Sequence, residues 1–179
     1  MNIVIIGTGY VGLVTGVGLA SLGNFVNFID LDENKIKDLS NKKITFYEPG
    51  LEEYFNDDET FKRMSFSSDY ASIEWHNIDI VFVCVQTPNN IETNSVDTKF
   101  LESAIKEINN VNSNDLVITV KSTIPPYEIE KVCEKVGMDS SKLTFNPEFL
   151  REGSAVEDFF KPDRICLLYT SDAADEYSG

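Results

Sequence analysis

Short apolar runs alternate with amphipathic stretches along the chain. The runs predict buried strands at 3–6, 78–85, 116–120 and 143–145, with two further strands, one ending at Asp30 and one covering 61–66. Helical spacing is clearest after Asp97, where one face carries Phe100, Leu101, Ala104, Ile105 and Ile108. This alternation of strands and helices predicts a single α/β domain built on a doubly wound parallel sheet.

A glycine-rich turn separates the first strand from the helix that follows it. The turn consists of Gly7, Thr8, Gly9, Tyr10, Val11 and Gly12. In a GxGxxG pattern the first glycine turns the chain sharply and the second leaves room for a pyrophosphate. The third glycine lets the helix pack close to the strand. Since the helix N-terminus also points unpaired N–H groups at the phosphates, the turn predicts a dinucleotide site.

An acidic residue, Asp30, ends the second predicted strand, 18 residues after Gly12. A carboxylate at this place can accept hydrogen bonds from the adenosine ribose hydroxyls, and it would repel a 2′-phosphate. No arginine follows Asp30, so the predicted cofactor is NAD rather than NADP. Lys35 lies in the next helix, where its charge could tolerate a phosphate or could simply be solvated.

Composition narrows the range of partners. With 179 residues the chain is long enough for one domain with its own core. Its net charge of -15 argues against nucleic acid or an anionic membrane surface as partner. Three widely spaced cysteines form neither a disulfide framework nor a zinc motif, so no metal site is predicted. No apolar stretch is long enough to span a bilayer, and we expect a cytoplasmic location.

Polar residues follow three of the later strands. Thr87 comes after the run at 78–85, Thr123 follows 116–120, and Glu148 follows the last strand. Because the carboxyl ends of parallel strands meet at one edge of a sheet, we expect these residues to converge where ligands bind. A carboxylate at that edge can move a proton of a bound substrate. Taken alone, the same residues also fit ordinary positions at strand ends and helix starts.

Several separate stretches resemble the UDP-glucose/GDP-mannose dehydrogenase family in the right order. They read GTGYVG, YEPGL, TP after the run at 78–85, KSTIP, and NPEFLREGSAVEDFFKPDRI. The resemblance is to the N-terminal, Rossmann-like NAD-binding domain, over residues 1–165. It implies an enzyme that oxidises the C6 alcohol of a nucleotide sugar to a carboxylate, with two NAD and a cysteine-bound thioester. The motifs favour UDP-glucose, oxidised to UDP-glucuronate.

Other functions stay open on the sequence. The nucleotide sugar could be GDP-mannose or a UDP-N-acetyl sugar. The motif NPEFLREG argues somewhat against the N-acetyl sugars, whereas the residues that decide between UDP-glucose and GDP-mannose are not among these motifs. A function of another class is a free-standing NAD-binding module without catalysis. One departure from the family is Gln86, where a small residue is more usual and a larger side chain could crowd the nicotinamide.

The resemblance also implies roles for single residues. Cofactor contacts are expected at Gly7, Gly9, Tyr10, Val11, Gly12, Asp30, Lys35, Thr87, Thr123 and Glu148. Thr123 would help to place a catalytic water, and Glu148 would assist proton transfer or thioester hydrolysis. The nucleotide-sugar pocket would be lined by Glu148, Phe149, Leu150 and Arg151.

The motif resemblance stops at Ile165. Residues 166–176 can be back-translated into a transposon-end adapter used in shotgun sequencing, so we expect the tail 166–179 not to be native protein; a divergent tail is the alternative. The family's helical and second nucleotide-binding domains are expected beyond this point, with the thioester cysteine and the contacts of a homodimer. The settings of Cys84, Cys133 and Cys166 do not match that cysteine. The chain alone is therefore predicted to be inactive.

Overall fold

A parallel sheet of six strands, extended by one antiparallel strand, lies at the centre of the computed structural model, which describes residues 1–90, 95–111 and 116–169. The strands in these ranges are β1 (Asn2–Ile6), β2 (Phe25–Ile29), β3 (Met64–Ser67), β4 (Ile80–Val83), β5 (Asn89–Asn90), β6 (Ser95–Val96), β7 (Val117–Val120), β8 (Leu143–Phe145) and β9 (Leu168–Tyr169). The helices are α1 (Tyr10–Ser21), α2 (Glu33–Ser40), α3 (Leu51–Asn56), α4 (Asp58–Phe61), α5 (Lys99–Val111), α6 (Pro126–Val136) and α7 (Ala155–Phe160).

The strand order is β3-β2-β1-β4-β7-β8-β9. Every pair is parallel except β8 with β9, and β5 pairs with β6 as a separate antiparallel ladder. The order runs outward from β1 in one direction and from β4 in the other, so the switch point lies between these two strands. The predicted doubly wound α/β sheet is thereby confirmed.

Both faces of the sheet are covered, as β1 illustrates. Ile3 and Ile5 pack into one apolar cluster with residues of α1 and α3, whereas Val4 and Ile6 pack into a second cluster with residues of α5 and α6. Successive side chains of a strand point to opposite faces, so a strand buried on both sides must be apolar throughout. This is why the strands appear in the sequence as unbroken apolar runs.

Two details of the pattern-based prediction are wrong. The strand expected at 61–66 begins at Met64, because Phe61 still belongs to α4. The pattern puts Phe100 on the inner face of α5, but this residue is 44% exposed; the other four residues of that face, Leu101, Ala104, Ile105 and Ile108, are buried as predicted. Helical periodicity fixes a face only to within about one residue, and Phe100 lies at its margin.

The last described residues extend the sheet beyond the predicted series. β9 pairs with β8, and the carbonyl oxygen of Cys166 accepts a hydrogen bond of 2.7 Å from the Asn146 side chain. The remainder of the tail, 170–179, lies outside the described residues, and its non-native origin stays a prediction. No helix in the described ranges is long and apolar enough to cross a membrane.

Candidate functional site

The carboxyl ends of β1, β4 and β7 open into a cavity of about 880 Å³ at the switch point of the sheet. In open α/β sheets this is where ligands bind. Of the residues predicted to contact a cofactor, all except Gly12 line the cavity: Gly7, Gly9, Tyr10, Val11, Asp30, Lys35, Thr87, Thr123 and Glu148. Gln86, the departure from the family pattern, lines it as well.

The glycine turn leaves one side of this cavity open to an anion. Gly9 is the N-cap residue of α1, and no side chain of the described residues caps this helix end. A Cβ atom at Gly9 would meet nothing within 4 Å, so there is open space beside Gly9 at this helix end. Uncapped N–H groups next to open space fit the pyrophosphate of a dinucleotide.

Gly12 differs from Gly7 and Gly9 because its position allows close packing within the turn. It is buried in the first turns of α1, where a Cβ atom would overlap the carbonyl oxygen of Gly7. Gly7 itself has a φ of 95°, a conformation that favours glycine. The prediction that Gly12 packs the helix against the strand therefore agrees with its position, whereas direct contact with a cofactor does not follow from it.

Asp30 is held as an ionised acceptor at the edge of the cavity. Its Oδ2 accepts hydrogen bonds from the backbone N–H of Thr8 at 2.8 Å and from the Thr8 hydroxyl at 2.7 Å, while its Oδ1 accepts from the N–H of Asp32 at 3.0 Å. Burial would raise the pKa of Asp30, but these hydrogen bonds and the charge of Lys35 outweigh it, and the pKa is lowered. A carboxylate fixed in this way can receive ribose hydroxyls.

The ends of β4 and β7 are tied together on the opposite side of the cavity. The Thr87 hydroxyl donates to the carbonyl oxygen of Thr123 at 3.0 Å, and the buried Ser122 hydroxyl donates to the carbonyl oxygen of Val85 at 2.6 Å. The structure thus brings Thr87 and Thr123 together as the strand-end pattern predicted. Their contact with a cofactor stays a prediction.

A second cavity, of about 850 Å³, adjoins the first. Its lining includes the residues predicted for the nucleotide-sugar pocket: Glu148, Phe149, Leu150 and Arg151. Glu148 lines both cavities, and its Oε2 accepts a hydrogen bond of 2.8 Å from the N–H of Leu150. A carboxylate at this junction can reach groups bound on either side.

Arg151 is already paired with a carboxylate that the sequence did not single out. Its guanidinium donates to Asp158 through Nε at 3.1 Å and through Nη2 at 2.6 Å. These hydrogen bonds and the positive charge lower the pKa of Asp158 to about 2. Arg151 is therefore oriented by Asp158 of α7 where it lines the second cavity.

The sequence analysis used YEPGL as one of the family motifs but assigned no role to its glutamate. Glu48 is only 4% exposed, and it accepts hydrogen bonds from the Tyr10 hydroxyl at 2.6 Å and from the N–H groups of Gly153 and Ala155 at 2.8 Å each. Tyr10 thus lines the cofactor cavity, but its hydroxyl is directed to Glu48. The glycine turn and the segment after Glu148 are joined through this one carboxylate.

Neither of the two buried cysteines has the properties of a nucleophile. Burial raises the pKa of Cys84 to about 12 and that of Cys133 to about 11. Since the thiolate is the reactive form, both thiols are protonated and unreactive at neutral pH. Cys84 nevertheless lines the first cavity, where it contributes an uncharged wall.

Comparison with known proteins identifies one family of dehydrogenases. The profile of the UDP-glucose/GDP-mannose dehydrogenase family, NAD binding domain, matches residues 1–176. The UDP-glucose 6-dehydrogenase of Rickettsia prowazekii (strain Madrid E) is 40% identical over 169 residues, which is 93% of this chain and 38% of that protein. The UDP-glucose 6-dehydrogenase YwqF of Bacillus subtilis (strain 168) is 38% identical over 175 residues, 93% of this chain and 39% of that protein.

Solved structures of the family share the fold. A UDP-glucose dehydrogenase from Pyrobaculum islandicum superposes with a TM-score of 0.83 at 34% identity, covering 98% of this chain and 42% of that one. A GDP-mannose dehydrogenase from Pseudomonas aeruginosa, solved as a ternary complex, gives a TM-score of 0.83 at 27% identity, covering 98% and 43%. The chain spans only 38% to 39% of the two curated relatives' length.

Proposed function

We propose a function from one premise: the chain belongs to the UDP-glucose/GDP-mannose dehydrogenase family, whose NAD-binding domain it matches over residues 1–176. On this proposal it is the cofactor-binding part of an enzyme that oxidises UDP-glucose at C6 to UDP-glucuronate with two NAD. The observation that carries the proposal is the cavity at the switch point, with an uncapped helix end on one side and an ionised Asp30 beside it. A homodimer of the longer enzyme belongs to the same proposal.

Different residues are proposed to bind different parts of the NAD cofactor. The N–H groups at the start of α1 would bind the pyrophosphate, with Gly9 leaving room for it. Asp30 would accept the ribose hydroxyls, and its charge would exclude a 2′-phosphate. Thr87 and Thr123 would line the nicotinamide end, where NAD, when bound, supplies the hydride acceptor.

Glu148 is the residue proposed for proton transfer. It lines the cofactor cavity and the second cavity, so its carboxylate oxygens can face a sugar hydroxyl on one side and the cofactor on the other. The hydrogen bond from Leu150 holds one of these oxygens in place. Thr123 would hold a water molecule near the same point, and Phe149, Leu150 and Arg151 would contact the nucleotide sugar.

Removing the Asp30 side chain tests cofactor binding. We expect the chain to bind NAD⁺, and Asp30→Ala to weaken that binding by about tenfold or more, because the ribose hydroxyls lose a charged acceptor. Isothermal titration calorimetry would measure both affinities. Glu33→Ala, an exposed acid at the start of α2, is the matched control and should bind as the unmodified chain does. Equal affinity for all three proteins would contradict the assignment of Asp30.

The chain as given is expected to bind NAD without turning over the sugar. Its described buried thiols are protonated at neutral pH, so they cannot supply the nucleophile for a thioester. Incubation of the purified chain with UDP-glucose and NAD⁺ should therefore give no sustained NADH absorbance. Steady production of NADH would refute this expectation. NAD binding and sugar turnover are thus measured separately.

A further inference from the structure

Lys121 stands between the two cavities. It follows β7 directly, and within the described part of the chain only Lys121 and Glu148 line both spaces. The Nζ atom donates a hydrogen bond of 2.9 Å to the side-chain oxygen of Asn146, which is a neutral acceptor. Among the described residues no carboxylate forms an ion pair with Lys121.

The surroundings of this ammonium are mostly uncharged. Lys121 is partly buried, and this burial lowers its pKa because the ammonium loses part of its hydration; the thiol of Cys84 and the charge of Glu148 act in the opposite direction. Cys84 is itself neutral at pH 7, because burial raises its pKa to about 12. Glu148 is then the one carboxylate that faces this lysine closely enough to shift its pKa in the part of the chain described.

A poorly solvated cation acts strongly on charges that enter the same space, because the local dielectric is low. The nicotinamide ring carries one positive charge in NAD⁺ and none in NADH. Reduction adds a hydride, that is, two electrons and one proton, and so removes the ring's charge. A fixed cation near the ring therefore destabilises the bound oxidised form relative to the bound reduced form.

We propose that Lys121 sets the preference of the cofactor cavity between the two redox forms, weakening the binding of NAD⁺ relative to NADH. This rests on the proposed function, which places the nicotinamide at the Thr87 and Thr123 side of the cavity. By linkage, a site that favours NADH over NAD⁺ makes the bound cofactor a better hydride acceptor. Lys121 then assists the oxidation of the sugar without contacting the reacting carbon.

The competing explanation is structural: Lys121 ties the end of β7 to Asn146 at the end of β8. Loss of such a tie would disturb the cavity for both forms of the cofactor and would change both affinities together. Loss of the charge would change their ratio. The ratio of the two dissociation constants therefore separates the two roles.

The experiment measures Kd for NAD⁺ and for NADH at one ionic strength, by calorimetry and by NADH fluorescence. For Lys121→Met we expect the ratio Kd(NAD⁺)/Kd(NADH) to fall by about threefold or more. Lys121→Gln also removes the charge but keeps a donor for Asn146, and it should shift the ratio the same way even if the methionine variant folds poorly. Lys106→Met, an exposed lysine of α5, should leave the ratio unchanged.

The outcomes separate this inference from the proposed function. A ratio that stays unchanged in both Lys121 variants, with both nucleotides still bound, overturns the redox role alone. A ratio that rises overturns it as well. Failure of the unmodified chain to bind either nucleotide overturns the proposed function. The proposed role of Lys121 is then overturned as well, because it depends on that function.

Discussion

Replacing Gly12 with alanine is expected to lower the free energy of unfolding by about 3 kcal/mol or more and to abolish NAD binding. The added methyl group would overlap the carbonyl oxygen of Gly7, which belongs to the backbone of the turn and cannot move aside by a rotamer change. Relief requires α1 to shift away from β1, which disrupts the packing and displaces the N–H groups proposed to bind the phosphates. Urea denaturation and NAD⁺ titration would measure the two losses.

Gly9→Ala is the matched control, because it adds the same methyl group three residues earlier. Gly9 has a φ of -69° that alanine adopts freely, and its Cβ would meet no protein atom within 4 Å. Its stability should therefore stay within about 0.5 kcal/mol of the unmodified chain. NAD⁺ affinity should nevertheless fall, since the methyl group would occupy the space proposed for the pyrophosphate. Similar stability of both variants would disprove the packing role of Gly12.

The two glycines also show what the sequence can predict about this site. The glycine turn, the strand before it and the acid after β2 are close in sequence, and each has a local physical reason for its position. Asp30 could be assigned because it ends a strand whose neighbour carries the turn. Thr87, Thr123 and Glu148 could be grouped because the carboxyl ends of parallel strands share one edge.

Contacts between distant segments could not be predicted in this way. Glu48 binds backbone N–H groups more than one hundred residues later, at Gly153 and Ala155. No periodicity connects a turn glutamate with those positions, and an acid beside Pro49 looks like any solvated turn residue. Lys121 likewise reads as a polar residue after a strand, and only the structure shows that it is partly buried and lines both cavities.

Thr8 was missed for a different reason. It occupies a position of the GxGxxG pattern that carries no required residue, yet it is only 2% exposed and supplies two of the hydrogen bonds that hold Asp30. A hydroxyl residue at this position, next to an acid at the end of the neighbouring strand, is the signal that could have found it. The register of β1 with β2 brings the two together.

Glu48→Gln is expected to lower the free energy of unfolding by about 2 to 4 kcal/mol, because the amide presents an N–H group where the carboxylate accepts three hydrogen bonds. Tyr10→Phe removes only one of these bonds and should cost about 1.5 kcal/mol. The glutamine variant should also loosen the segment around Gly153, which follows the residues proposed to contact the nucleotide sugar. Equal stability of Glu48→Gln and the unmodified chain would contradict this account.

The stability difference between the unmodified chain and Glu48→Gln should depend on pH in one direction. Burial would raise the pKa of Glu48, but the hydrogen bonds from Tyr10, Gly153 and Ala155 outweigh it and lower the pKa below its ordinary value of 4.5. A carboxyl whose pKa is depressed on folding contributes its full stability above the unfolded-state pKa and loses it as the pH falls through the folded-state pKa. The difference should therefore be constant near neutral pH and shrink below pH 4.5. Other carboxyl groups titrate in both proteins and cancel, so a difference that grew on acidification would show that Glu48 is protonated in the folded chain.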